Sequence, residues 1–396
     1  MVNLAIMNND SQERRPFLAR RLQGLVQSDI RRMTRECERV NGINLGQGIC
    51  DMPTPPLVAQ GAIDAIRDRK SVYSYPEGIR ELRQKIAAKL ARDNGITADP
   101  DTEIVVTVGA SGAYAAALHA LLDPGDGILL MEPYYGYHLN AAVVAGLEPQ
   151  FVTLAPPEFS VELAHLRDAV RPNTRAIVVC TPSNPSGKMM GRRELEAIAT
   201  VARERDLLVI TDEIYEYIKY EGRPHVSPAT VGDLRERTVS IMGLSKTFSI
   251  TGWRLGWATA PAELARAIAL VNDLYFVCAP TPLQHGAAAG FGAPPEFFTE
   301  LASTYQKKRD RICAALHEAG MRPIVPQGAY YVLADVAHLG FETAREAAMD
   351  LLERRGVASV PGSAFYRGAA GEGLLRFCFA KEDDVLERAC RKLEAR

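Results

Sequence analysis

Thr238-Val239-Ser240-Ile241-Met242 is a short apolar run rich in β-branched residues, and it leads into Gly243-Leu244-Ser245-Lys246-Thr247-Phe248-Ser249-Ile250-Thr251-Gly252-Trp253-Arg254-Leu255-Gly256-Trp257. A run of this length and composition reads as a buried strand. Lys246 follows it directly, among small hydroxyl residues, with Arg254 eight residues further on. That is the setting of a Schiff-base lysine whose ligand also carries a phosphate, the arginine supplying a fixed counter-charge. A solvated surface amine is the competing reading, and the buried strand before it argues against that.

Working outward, the same rhythm recurs. Apolar runs at Ile104–Val108, Ile128–Met131, Ala176–Cys180 and Leu207–Thr211 alternate with helix-length segments, such as those over 79–93 and 112–122. Continuous apolar strands between helices predict an α/β fold with a mostly parallel sheet covered on both faces. After about residue 290 the pattern changes to a long charged helix over 295–319, strand-like Tyr330–Leu333 and Leu374–Phe379, and a C-terminal helix, which reads as a smaller α+β domain. At the other end, a polar, Arg-rich arm and a helical pattern occupy residues 1 to about 40, and Gly46-Gln47-Gly48-Ile49-Cys50-Asp51-Met52-Pro53-Thr54-Pro55-Pro56 breaks the pattern into a loop. At 396 residues the chain is too long for one ordinary core. The expected division is an arm and part of the small domain over 1–55, a large domain over 56–290 and a small domain over 291–396.

In parallel α/β sheets ligands bind beyond the carboxyl ends of the strands. Gly109-Ala110-Ser111-Gly112 follows the first strand and opens a helix, where free amides and the helix dipole can meet a phosphate; Ser111 as a plain N-cap is the alternative. Thr181-Pro182-Ser183-Asn184-Pro185-Ser186-Gly187 forms a turn whose Pro and Gly explain themselves and whose Asn184 does not. Asp212-Glu213-Ile214-Tyr215 places a carboxylate at the sheet edge and a phenol three residues on, although an acid there is often only a loop charge.

Composition narrows the function classes. Lys and Arg total 46 against 48 Asp and Glu, for a formal net charge of −2, and no single-sign block is present, so neither nucleic acid nor a membrane surface is an expected partner. No stretch reaches the roughly 18 apolar residues of a membrane span, and the N-terminal apolar run is too short for a signal peptide. The seven cysteines (Cys37, Cys50, Cys180, Cys278, Cys313, Cys378, Cys390) form no CxxC pair. They read as small buried hydrophobes in a reducing, cytoplasmic setting, with no metal site.

With these residues in view, the chain from about residue 28 to its end resembles the fold-type I pyridoxal-phosphate (PLP) aminotransferases of class I/II, in the branch that includes aspartate, alanine, aromatic and kynurenine aminotransferases. The motifs GQGICDMPTP, NPSG, DEIY, SKTFSITGWRLGW and the late LRF occur in the family's order. The resemblance implies that Lys246 holds PLP as a Schiff base and moves the substrate Cα proton as base and acid. It implies that Asp212 pairs with the pyridine nitrogen, and that Tyr215 and Asn184 bond the phenolic oxygen. Arg254, Ser111, Ser245 and the amides of Gly109 and Ala110 would hold the phosphate, and Tyr135 would stack on the ring. Arg376 would take the substrate α-carboxylate beside Gly48 and Asn184. Tyr73 would reach the phosphate of a neighbouring subunit, which implies a homodimer with shared sites.

Two departures stand out. The position three residues before the lysine, often a phosphate-binding serine in relatives, is Gly243 here. No residue matches the side-chain-carboxylate arginine of aspartate-specific members, so dicarboxylate specificity has no support in the sequence; Tyr330 and Tyr331 hint instead at an apolar or aromatic substrate. The same scaffold also supports elimination, replacement or oxidase outcomes. A non-catalytic regulator would need a DNA-binding module of some 60 residues, and only about 40 precede the first motif.

Overall fold

The structure, a computed structural model, describes residues 19, 21 and 29–395; most of the arm expected over the first 40 residues lies outside them. The strands in chain order are β1 (Ile43–Asn44), β2 (Ile104–Val108), β3 (Gly127–Glu132), β4 (Glu148–Thr153), β5 (Thr174–Cys180), β6 (Leu208–Asp212), β7 (Thr238–Met242), β8 (Leu255–Thr259), β9 (Arg322–Ile324), β10 (Tyr331–Asp335), β11 (Val357–Ala358), β12 (Val360–Pro361) and β13 (Leu374–Cys378).

Seven of these form one sheet in the order β2-β8-β7-β6-β5-β3-β4. Its apolar strands are buried on both faces, which is why they read as unbroken runs. Ile177, Val179 and Val209 pack with Leu195, Ile198 and Val201 of the helix Arg192–Glu204 on one side. Val178 and Ile210 pack with Ala113 and Ala117 of the helix Gly109–Leu121 and Ile268 of the helix Ala262–Phe276 on the other. Pairing is parallel from β4 through β7, as expected. The exception is β8, antiparallel to both β2 and β7, and it comes from the very segment that decides the fold. Only a 3-10 turn, Thr251–Trp253, interrupts the link from β7, and a parallel return needs a crossover, usually a full helix. Because β8 is reversed, it begins at the edge where its neighbours end.

The second sheet is antiparallel, ordered β12-β13-β10-β9. Helices Pro295–Glu318, Ala344–Arg355 and Asp383–Glu394 close over it through Ile312, Leu316, Leu351, Leu386 and Leu393. The parallel pair β1 and β11 attaches the N-terminal segment to this half. Beyond β1, Cys378 donates its amide to the Leu45 carbonyl at 2.6 Å and Asp51 to Ala380 at 3.3 Å. The Gly46–Asp51 loop is thereby held against the end of β13. Among the described residues no helix is long and apolar enough to cross a membrane.

Candidate active site

Strand register assembles the site. Cys180 pairs with Asp212, Asp212 with Ile241, Met242 with Trp257, and Val108 with Leu255. The residues next to these positions therefore share one edge of the large sheet: Asn184 after β5, Asp212 at the end of β6, Lys246 after β7, Arg254 before β8 and Gly109 after β2. A cavity of about 700 Å³ opens there, lined by Gly48, Ala110, Ser111, Tyr135, Asn184, Asp212, Tyr215, Ser245, Lys246, Arg254, Tyr331 and Arg376 among others.

Lys246 is partly buried. Loss of solvent pulls its amine below the ordinary lysine range, against an upward pull from Cys378, Cys50 and Asp212. Desolvation thus favours the neutral form, the one able to attack a carbonyl or accept a proton. Its Nζ lies 5.7 Å from the centre of the Tyr330 ring. Asp212 accepts from the Ile214 amide at 3.2 Å, and its other oxygen meets His138 Nε2 at 3.1 Å. Burial, with Tyr331 next in effect, pushes the Tyr215 phenol well above its usual value and keeps it a donor; the two hydroxyls are 3.2 Å apart.

At the far wall Gly109 has φ +71°, and a Cβ there would stand 2.6 Å from Arg254 Nη2. Only glycine allows that approach. Arg254 donates Nη1 to the Thr251 carbonyl at 2.9 Å and pairs with no carboxylate among the described residues. With the first turn of the 13-residue helix Gly109–Leu121 it forms a cationic cup. Ser111 faces the cavity from inside that turn and is not the N-cap; the helix starts immediately after β2, so Val108 holds that position. Ser245 lines the cavity but donates to the Leu255 carbonyl at 3.2 Å.

Arg376 is 1% exposed although it is charged. It donates Nη1 to Asn184 Oδ1 at 2.8 Å and Nη2 to the Gly46 carbonyl at 2.6 Å, while its buried Nε has no partner. The guanidinium is 4.4 Å from the Tyr331 ring centre and 4.7 Å from that of Phe365. At Gly48 a Cβ would fall 1.9 Å from the Tyr331 hydroxyl, so the loop closes on the tyrosine only through glycine. Tyr135 lines the cavity, stacked on Tyr137 at 5.2 Å. Tyr73 does not line the cavity of its own chain and is 80% exposed.

Three features escaped the sequence. His138 sits two residues into the helix after Tyr135-Gly136 and carried no motif signal. The Gly46 carbonyl is a backbone partner invisible to residue type. Arg31 and Arg35, on the helix Asp29–Arg39, line the cavity mouth. The tyrosine hint is corrected: Tyr330 is fully buried core and only Tyr331 meets the cavity.

The residues fit PLP: an amine whose charged form desolvation disfavours, a fixed carboxylate and a phenol donor in the same cavity as Asn184, and a cation-lined cup shaped by a missing Cβ. Similarity to known proteins agrees. The family model for aminotransferase class I and II matches residues 40–393. A probable N-succinyldiaminopimelate aminotransferase of Mycobacterium tuberculosis is 36% identical over 384 residues, covering 94% of this chain and 97% of that protein. Aromatic-amino-acid aminotransferase 2 of Thermococcus litoralis is 33% identical, covering 95% and 97%. Among solved structures, the N-succinyldiaminopimelate aminotransferase from Mycobacterium tuberculosis superposes with a TM-score of 0.92 at 36% identity, covering 95% and 99%. A single mutant of Thermus thermophilus aspartate aminotransferase gives 0.89 at 33%, covering 96% and 99%.

Proposed function

The chain belongs to the class I and II aminotransferases, and from that premise we propose that Lys246, Asp212, Tyr215, Asn184, Arg254 and Arg376 carry its transfer of an amino group from an L-amino acid to a 2-oxo acid. The fold is that of fold-type I transferases, and the family depends on PLP. The relatives described above are named as aminotransferases, which favours transamination over elimination, replacement or oxidation.

The observation that carries the assignment of roles is the gathering of a desolvated lysine, a carboxylate and two arginines in one cavity. Bound PLP supplies an electron-withdrawing ring that stabilises negative charge at the substrate Cα. Asp212, fixed by Ile214 and His138, holds a proton on the ring nitrogen. Tyr215 and Asn184 donate toward the phenolic oxygen. Arg254 with Gly109, Ala110 and Ser111 would hold the phosphate, and Tyr135, which lines the same cavity, would pack against the ring. Arg376 and the Gly48 loop orient the α-carboxylate, so that Lys246 Nζ takes the Cα proton and returns it on the other side of the transfer.

The reading includes a homodimer with Tyr73 completing the partner's phosphate site. Supporting it, Val72, Tyr73, Tyr75 and Leu274 are exposed at 71, 80, 77 and 76%, an unusual concentration of large apolar groups. It also includes a domain boundary near residue 290 and, from seven cysteines without a disulfide, a cytoplasmic setting. The test is to load the protein with PLP, add amino acids one at a time, and follow the visible cofactor band and the oxo acid formed. Conversion by a subset names the donor class. Ammonia or hydrogen peroxide release in place of a stoichiometric half-reaction would overturn transamination.

A further inference from the structure

The rim of the cavity carries two cations that the roles above leave unused. Arg31 and Arg35 lie one turn apart on the helix Asp29–Arg39, both exposed and both lining the cavity. Neither makes an ion pair or side-chain hydrogen bond among the described residues, although Glu38 stands on the same rim. Two cations against one unpaired carboxylate leave this wall net positive.

Their direction is fixed by the other face of the helix. Met33 and Cys37 are buried, each only 2% exposed, Asp29 pairs with Arg345 at 2.8 Å, and Thr34 accepts from Asn44 Nδ2 at 3.1 Å. Asn44 in turn accepts the amides of Gly46 and Gln47 at 2.9 and 3.1 Å, which ties the helix to the loop beside Arg376. The cavity therefore has a buried guanidinium at its floor and two exposed ones at its mouth.

Resting on the assignment of Arg376 to the α-carboxylate, we infer that Arg31 and Arg35 recognise an anionic group at the far end of the substrate. The class selected is an α-amino acid, with its oxo acid, that carries a second carboxylate on a chain long enough to reach from floor to rim. The second-carboxylate arginine missing from its usual place is supplied here by the N-terminal helix. Exposed guanidiniums act through screened, hydrated contacts, so the preference is salt-sensitive.

The experiment uses the PLP-loaded protein and unreactive acids in matched pairs, glutarate, adipate and pimelate against pentanoate, hexanoate and heptanoate. Calorimetry gives binding, and 2-aminoadipate, 2-aminopimelate and norleucine give half-reaction rates. The expected result is a dicarboxylate advantage of about ten-fold, largest for the longer acids, reduced by salt and falling to near one in the double variant R31Q/R35Q. Equal binding of the two series by the wild type, or an advantage that survives in R31Q/R35Q, overturns the inference while leaving transamination standing. If neither series binds and no amino acid reacts, the Arg376 assignment fails and takes the inference with it.

Discussion

The floor and the rim of the cavity are built by different means. Asp212, Lys246, Asn184 and Arg254 sit within a few residues of paired strand ends, and their spacing is set by backbone hydrogen bonds of a sheet buried on both faces. Arg376 is itself in a central strand, paired with Leu333 and Val360. Arg31 and Arg35 sit on one helix held by an ion pair, two buried side chains and a threonine. Sheet register cannot slip by one residue without turning every core side chain outward, whereas the N-terminal helix is held by side-chain contacts, which single substitutions can alter. On the roles proposed above, chemistry common to all substrates is assigned to the floor and discrimination among them to the rim.

The largest effect expected is from Lys246→Ala, which should reduce turnover by roughly a thousand-fold or more; wild-type kcat in this variant would place the base elsewhere. Arg376→Ala leaves an anion without its buried partner, and kcat/KM should fall on the order of a hundred-fold for every amino donor. A loss confined to one donor would move Arg376 from the common floor to the selective rim.

Arg254→Ala should weaken PLP binding about ten-fold or more in equilibrium dialysis, with the half-reaction of saturated protein less affected. Unchanged affinity would mean that the phosphate lies outside the glycine cup. The pH response is smaller and signed. Desolvation lowers the Lys246 pKa, so amine-directed labelling of cofactor-free protein should begin at lower pH for Lys246 than for an exposed lysine. Asp212→Asn removes an upward pull and should move the onset lower still; a shift to higher pH would show that burial, not charge, had changed. The smallest effect belongs to the rim: Arg345→Ala, which breaks a partly exposed pair with Asp29, should cost about 0.2–1 kcal/mol in denaturant unfolding. An unfolding cost of about 3 kcal/mol or more, the range for breaking a buried pair, would erase the distinction between floor and rim.

The same contrast explains what was legible in the sequence. Lys246, Asp212 and Asn184 each follow an apolar run whose burial is written in residue type, so the strand end locates them. The reversed β8 was hidden because direction depends on what the link can span and not on the strand's composition. Arg376 was legible only through the resemblance, since an arginine in a strand of the small sheet meets the Asn184 turn and the Gly46 carbonyl, both distant in sequence. His138 was missed because its partner, Asp212, is 74 positions away. Arg31 and Arg35 were missed because a charged helix face looks the same whether it meets water or a cavity.

The reversal of β8 also makes the stretch between Lys246 and Arg254 a ruler. One end is pinned just beyond the last residue of β7, the other just before the first residue of β8, and the two strands are hydrogen-bonded neighbours. On the proposed roles, the gap between the amine assigned to the chemistry and the charge assigned to the phosphate is consequently counted in residues of a single short loop. An insertion there would lengthen the ruler without disturbing the sheet, leaving a folded protein that grips its cofactor at one end only. Engineering of this enzyme has latitude at the N-terminal helix and almost none between those two side chains.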